Sequence, residues 1–273
     1  MRVRIRRLID VLPKLGLRYR CPFCHLRFRR LEPRGRDLPV YAELGIVGGG
    51  LRAAECPCCR SNDRERLLYL FLRRHTDLFR APLRVLHFAP EARLGRAIAR
   101  RQHEYETTDL KAPGVDFHTD ITAIARPDAA YDAILCSHVL EHVHDDGTAM
   151  RELHRVLAPG GWAVLQVPIA SRAEQTDEEE PDRRLSAEER SRRFGDPTHV
   201  RLYAEGDYIR RLEQAGFAVR AAEARQLLGE RAVRRYALKP EEKIFFCTRE
   251  PTASRTRRDA TSADASAPGL GSS

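Results

Sequence analysis

This sequence of 273 residues has two methionines, one tryptophan and only four lysines among its 48 basic residues. It has no apolar run close to the roughly 20 residues that a membrane-crossing helix needs. The N-terminus is basic, but no apolar segment with a small-residue cleavage site follows it. That argues against a secretory leader and for a cytoplasmic protein. Seven cysteines, an odd number, speak against a disulfide framework in such a chain. Hydrophobic residues make up 42% of the chain, enough for a packed core, and the length suits one medium α/β domain with a smaller module.

Glycine is missing from one telling place. In "RVLHFAPEARLGRAI", residues 84–98, an apolar strand runs into a short loop and then an alanine-rich helix. In nucleotide-binding folds that loop is glycine-rich, so that the backbone can approach the ligand. Here it holds His87, Phe88, Ala89, Pro90 and Glu91.

The pattern divides the chain into four parts. Residues 1–66 are rich in cysteine and arginine, and residues 67–81 read as a linking amphipathic helix. Residues 82–249 alternate strand and helix, and 250–273 have the composition of a disordered tail. Strands are predicted at 84–88, 103–108, 131–137, 161–168, 217–223 and 243–249, with helices at 91–101, 145–157 and 205–215. Such alternation implies a mostly parallel sheet, whose ligands sit beyond the carboxyl ends of the strands. Segment 171–195 is charged and has the makings of a lid. Residues 225–240 are compatible with a short packed helix.

Carboxylates stand where that rule directs attention. Asp109 ends the second strand, about twenty residues past the first loop, and suits both hydroxyls of a ribose. Asp120 follows in "FHTDIT" and suits an adenine amino group. This is a nucleoside-binding layout.

The cysteines form a second constellation. Cys21 and Cys24, then Cys56 and Cys59, are two C-x-x-C knuckles that together supply the four thiolates of a closed, structural Zn2+ site. Cys58 competes with Cys59, and His25 is a poorer candidate. Cys136 and Cys247 fall within strands and read as buried small hydrophobes. The basic charge gathers here too: residues 1–36 carry twelve Arg or Lys against Asp10 and Glu32. Arg18, Arg20, Arg27, Arg29 and Arg30 crowd the first knuckle with Tyr19, Phe23 and Phe28 among them. That composition suits RNA or another polyanion, or equally a tiny aromatic core with solvated arginines around it.

Several segments together carry a family resemblance. "YDAILCSHVLEHVHDDGTAMRELHRVLAPGGWAVLQVP" resembles the fourth to fifth strands of class I S-adenosylmethionine-dependent methyltransferases, in their small-molecule-type branch. "HVRLYAEGDYIRRLEQAGFAV" resembles a later segment of the same branch. The two knuckles leading through "RSNDRERLLYLFL" to "LHFAPE" resemble a bacterial subgroup with an N-terminal zinc ribbon. Zinc-containing ribosomal RNA guanine methyltransferases have a similar order of parts.

The resemblance implies a Rossmann-like, seven-stranded, mostly parallel sheet with its last strand antiparallel, and S-adenosyl-L-methionine as cofactor. It places Asp109 and Leu110 at the ribose, Asp120 and Ile121 at the adenine, and residues 87–91 with Ser137 and His138 near the methionine end. It favours Cys59 over Cys58 as ligand. Relative to the family, His87 replaces an acidic residue, while Ala89 and Pro90 replace glycines. Pro90 has no N–H to donate, and Glu91 either supplies the missing carboxylate or only sets a negative charge in the first turn of the next helix.

Candidate catalytic groups are His138, His199 and Tyr203, with His142 one turn beyond His138. The N/D-P-P-Y/F/W pattern of base-amino methylation and a Pro-Cys nucleophile are both absent, which leaves oxygen or ring nitrogen as acceptor. The implied activity is methyl transfer to a small molecule, a glycan or RNA, with the ribbon helping to hold the substrate. The competing reading is an inactive methyltransferase-like fold serving as a nucleic-acid-binding module.

Overall fold

The computed structural model describes residues 10–101, 103–180 and 182–251. Almost all of the predicted tail, and the first nine residues with their four arginines, lie outside them.

The N-terminal module is built from short pieces. Strands β1 (Leu15–Arg20) and β2 (Arg27–Phe28) form one hairpin around the first knuckle. Strand β3 (Glu32–Arg34), helix α1 (Pro39–Glu43), and strands β4 (Ile46–Val47) and β5 (Arg52–Glu55) follow, with β3 paired to β5, which runs directly into the second knuckle. The module's small core holds Phe28, Leu31, Cys21, Cys56 and Cys59.

Helix α2 (Asp63–His75) comes next, begun by the Asn62 side chain, which accepts from the Glu65 amide. It starts four residues earlier than the periodicity suggested, and it is no linker. Leu67, Leu68, Phe71 and Leu72 are buried with Val85, Ala133, Leu135, Val164 and Ile244. They therefore belong to the core of the main domain.

The main sheet uses β6 (Arg84–Phe88), β7 (Glu104–Asp109), β8 (Phe117–His118), β9 (Tyr131–Ser137) and β10 (Leu157–Gln166), with helices α3 (Ala92–Ile98) and α4 (Asp146–Val156) between them. Strand β10 begins before Pro159, Gly160 and Gly161 and takes them in across a register irregularity between Leu157 and Trp162. The helix predicted over 145–157 therefore ends at Val156, and Leu157 opens the strand.

Next come β11 (Ile169–Ala170), β12 (Asp177–Glu178), helix α5 (Ala187–Phe194), β13 (Arg201–Ala204), α6 (Glu205–Gln214) and β14 (Ala218–Glu223). Helices α7 (Ala224–Leu228) and α8 (Glu230–Tyr236) and strand β15 (Lys243–Thr248) complete the described chain. Segment 225–240 is thus ordered as two short helices, and buried Leu228 and Val233 pack with the α2 cluster.

The strand order is β14-β15-β10-β9-β6-β7-β8, and β15 alone runs antiparallel to its neighbours. Alternate residues of each strand face opposite layers. Ala133 and Leu135 meet α2, while Ile134 and Cys136 join Ala149, Met150 and Leu153 of α4 on the other side. Chain order reverses between β6 and β9, which makes the carboxyl ends of those two strands the ligand crevice.

A second sheet, ordered β12-β13-β11-β4, has no counterpart in the sequence patterns. Its edge strand β4 comes from the N-terminal module and pairs antiparallel with β11, Ile169 opposite Val47. The module is therefore joined to the domain by backbone hydrogen bonds beside the crevice.

Candidate functional site

The crevice contains three adjoining cavities that meet at His138. The first, about 320 Å3, is bounded by Phe88 and Ala89 after β6, Asp109 and Leu110 after β7, Asp120 and Ile121, and Val139 after β9. The second, about 200 Å3, takes in Ala89, Glu91, Ser137, Gln166 and Arg64. The third, about 380 Å3, lies between the module and the domain. The module supplies Arg34, Arg36, Tyr41, residues 48–50 and Arg52, and the domain supplies Arg64, Glu141, His142, Asp196 and His199. His138 lines all three.

The first cavity has the groups a nucleoside needs. One oxygen of Asp109 accepts the amides of Lys111 and Ala112, each at 2.8 Å, which fixes the carboxylate at the strand end. Its other oxygen has no hydrogen bond among the described residues. Asp120 is held in the same way through Thr122. Leu110 is a large apolar side chain left 58% exposed at this rim, while Ile121 is buried. Together they offer two apolar surfaces for a flat ring.

Ala89 occupies a position that suits glycine. Its φ is +45°, in the left-handed region that costs an L-residue about 1–2 kcal/mol. Its amide is already committed to the Thr108 carbonyl, at 2.9 Å. Ala89→Gly removes the strain but widens the unfolded ensemble, for a net gain of up to about 1 kcal/mol. A rise in the thermal midpoint is the expected result; a fall would contradict this account of the loop.

His87 and Pro90 do not line any of the three cavities, which corrects their assignment to the cofactor. His87 is fully buried, with Nδ1 at 2.9 Å from the Tyr105 hydroxyl and Nε2 at 2.8 Å from Glu91. It acts from beneath, by orienting Glu91. Burial pushes the Glu91 carboxyl up, but the hydrogen bond and charge of His87 outweigh burial and hold it below the ordinary range. A carboxylate thus lines the second cavity despite the altered loop. Beside it the Ser137 hydroxyl is buried with no hydrogen-bond partner among the described residues, a donor and acceptor available to a ligand.

His138 is itself strained, with φ +58° and its amide bonded to the Gln166 carbonyl at 2.8 Å. Such strain gathers where side-chain placement matters. Its Nδ1 lies 3.0 Å from Glu141 and 3.3 Å from the Arg64 guanidinium. That nitrogen can donate to the first or accept from the second, not both. Burial, followed by the Arg64 charge, depresses the His138 pKa.

Several site residues carried no signal in the sequence reading. Arg64 stands in the quoted segment "RSNDRER" but was not singled out. It bonds the Gly48 carbonyl and has no carboxylate within ion-pair distance among the described residues. Glu65 accepts the Arg93 and Leu94 amides at 2.7 and 3.0 Å and so caps α3. Buried Glu242 accepts the Gly48 amide at 3.1 Å and draws the glycine loop over the crevice. A Cβ on Gly49 would lie 2.4 Å from the Tyr41 ring, so only glycine lets that loop pack there.

Tyr203 does not reach the cavities. It is fully buried, and its hydroxyl donates to Asp146 at 2.7 Å, with Arg211 bonding the same carboxylate. It anchors β13 to the start of α4, away from the three cavities. His199 does line the third cavity, and its ring meets that of His142 edge-on at 4.8 Å between centroids. Segment 171–195 closes one wall: Phe194 lines the cavity and Tyr41 donates to the Gly195 carbonyl at 3.0 Å.

The cysteine cluster sits at the base of the module. Cys21, Cys24, Cys56 and Cys59 bring their sulfurs within 4.8 Å of one another, with Cys21–Cys59 at 3.5 Å and Cys24–Cys56 at 3.8 Å. Bonds of about 2.3 Å to a tetrahedral Zn2+ separate sulfurs by roughly 3.8 Å, so the donor set fits that ion. Cys58 lies outside the cluster. Phe28 fills the module's core and Phe23 packs on Tyr69 of α2, ring centroids 4.5 Å apart. The aromatics between the arginines are therefore structural.

Comparison with known proteins places this geometry in context. An uncharacterised Escherichia coli K12 protein, YafE, is 32% identical over 92 residues, which are 34% of this chain and 41% of that relative's length. A methyltransferase structure from Mesorhizobium loti, S-adenosylmethionine-dependent by its description, is similar at 16% identity and a TM-score of 0.45. That match covers 69% of this chain and 99% of the other. The Burkholderia thailandensis 1,6-didemethyltoxoflavin-N1-methyltransferase, solved with S-adenosylhomocysteine, is similar at 15% identity and a TM-score of 0.42, over 68% and 77% of the two chains. The model of a family described as a methyltransferase domain matches residues 63–222, more than half of the sequence. On that match, the chain belongs to the methyltransferase-domain family.

Proposed function

We propose that this protein transfers a methyl group from S-adenosyl-L-methionine to a small polar acceptor held between its N-terminal module and its sheet domain. The observation that carries this reading is the meeting of three cavities at His138, two suited to the parts of the cofactor and one to an acceptor. The cofactor brings an activated methyl on a sulfonium, so the chain's work is positioning and exclusion of water. Asp109 accepts the ribose hydroxyls, Asp120 the adenine amino group, and Leu110 with Ile121 grips the ring. Glu91 takes the ammonium of the methionine end and Ser137 bonds beside it. Tyr41, the 48–50 loop and Phe194 close the acceptor side.

A small molecule is favoured over RNA because chain from both the module and the domain lines the third cavity, which is of small-molecule size at about 380 Å3. The zinc cluster, on this reading, shapes the module that forms the cavity wall. One observation favours a second, compatible contact. Arg18, Arg27, Arg29 and Arg30 are exposed, away from the cavities and without carboxylate partners among the described residues. They suit a polyanion such as RNA. Binding of RNA should then weaken steeply with salt, and flat binding between low and physiological salt would rule that contact out.

The deciding test is calorimetric titration of S-adenosylmethionine and S-adenosylhomocysteine into zinc-loaded protein. Asp109→Ala should weaken both about ten- to hundredfold, as expected for the loss of a hydrogen bond to a charged group. Glu91→Gln should weaken both as well. No binding at millimolar ligand would overturn the reading and leave an inactive fold.

A further inference from the structure

Two histidines and one carboxylate converge on the acceptor cavity in a way that the methyl-transfer reading does not use. Glu141, His142 and His199 each bring one ligating atom within 4.8 Å of the others. All three line the cavity. We propose that they form a second metal site, a two-histidine, one-carboxylate set for a divalent first-row transition ion.

Three observations point to a ligand. First, Glu141 is 1% exposed, and its Oε2 is buried with no hydrogen-bond partner among the described residues, although the residue lines the cavity. An unpartnered carboxylate oxygen in such a place is costly unless a cation or donor completes it. Second, both histidines are tied at Nδ1 to backbone carbonyls: His142 to Thr198 at 3.2 Å and His199 to Phe194 at 3.3 Å. A proton held at Nδ1 leaves Nε2 with its lone pair exposed, the arrangement that orients metal-ligating histidines. Third, the His199 Nε2 already lies 3.9 Å from Glu141 Oε1.

Bonds of about 2.0–2.2 Å to one ion require neighbouring donors roughly 3 Å apart. The triangle must therefore contract by about an ångström or more, within reach of side-chain rotation at His142, whose side chain is exposed. Three protein ligands on one face leave the remaining positions open. They open into the cavity beside His138, and a metal there would take an acceptor through oxygen donors. That last step rests on the proposed function; the metal site itself does not.

The test is a Co2+ titration of the full chain with zinc already in the cysteine cluster. Metal content, calorimetry and visible absorption are read together, with and without S-adenosylhomocysteine. One equivalent of Co2+ should bind without sulfur-to-cobalt charge transfer. His142→Ala and His199→Ala should each weaken it at least about hundredfold while leaving the zinc in place. His142 is at the surface, so its variant folds even if a Glu141 variant does not. Absence of the extra equivalent at millimolar Co2+, or unaltered binding in both histidine variants, would overturn the site. Cofactor binding in the same samples separates that outcome from failure of the methyl-transfer reading.

Discussion

Removing zinc with a chelator is expected to unfold the N-terminal module and leave the seven-stranded sheet standing. Metal binding by such four-ligand sites is worth on the order of 10–16 kcal/mol in small peptides and is itself the folding energy. The module has little to replace it. Its core is Phe28, Leu31 and a few neighbours, half of them the cysteines themselves, and its strands are two to six residues long. The sheet domain has two large apolar layers of its own. Hydrogen exchange should show protection lost across residues 15–60 and kept across 84–88, 131–137 and 243–248. Cofactor binding should outlast acceptor binding, because Arg36, Tyr41 and Arg52 line the acceptor cavity and neither of the other two, while Arg34 lines the acceptor cavity and the second. Equal protection before and after chelation would mean that the four cysteines hold no structural metal.

The second large effect is expected at Arg66. Its side chain is 1% exposed, the largest among the fully buried ones, and no carboxylate pairs with it among the described residues. Instead it bonds four backbone carbonyls: Ala54 at 2.9 Å and Ser61 at 2.8 Å in the module, Tyr236 at 3.0 Å and Ala237 at 3.1 Å in the α8 segment. Ala237 is itself left-handed, with φ +49°, so Arg66 also holds a strained turn.

Charge-assisted bonds contribute about 1.5–3 kcal/mol each and do not add simply. Arg66→Ala strands buried carbonyls on both sides of the joint and should cost about 3–5 kcal/mol. Arg66→Lys should recover only part of this, because one ammonium cannot span the positions that a planar fork reaches. Urea unfolding of the zinc-loaded variants measures both. A loss under about 1 kcal/mol in Arg66→Ala would show that the joint is held by other contacts.

The sequence by itself determined the sheet, the cysteine knuckles and the carboxylates at the strand ends. Each is written in local order: apolar runs of strand length, a two-residue gap between paired cysteines, an aspartate directly after an apolar strand. The predicted strands at 84–88 and 131–137 match β6 and β9 residue for residue. The two-residue strands β4 and β11 are too short to show a period, and their pairing joins residues more than 120 positions apart. Only the tertiary structure therefore decided that the module forms a wall of the crevice, that Arg64, Glu141 and His142 converge there, and that His87 and Tyr203 turn into the core. Convergence depends on which strand ends and helix faces come together, and that is set by long-range packing of apolar layers rather than by spacing along the chain.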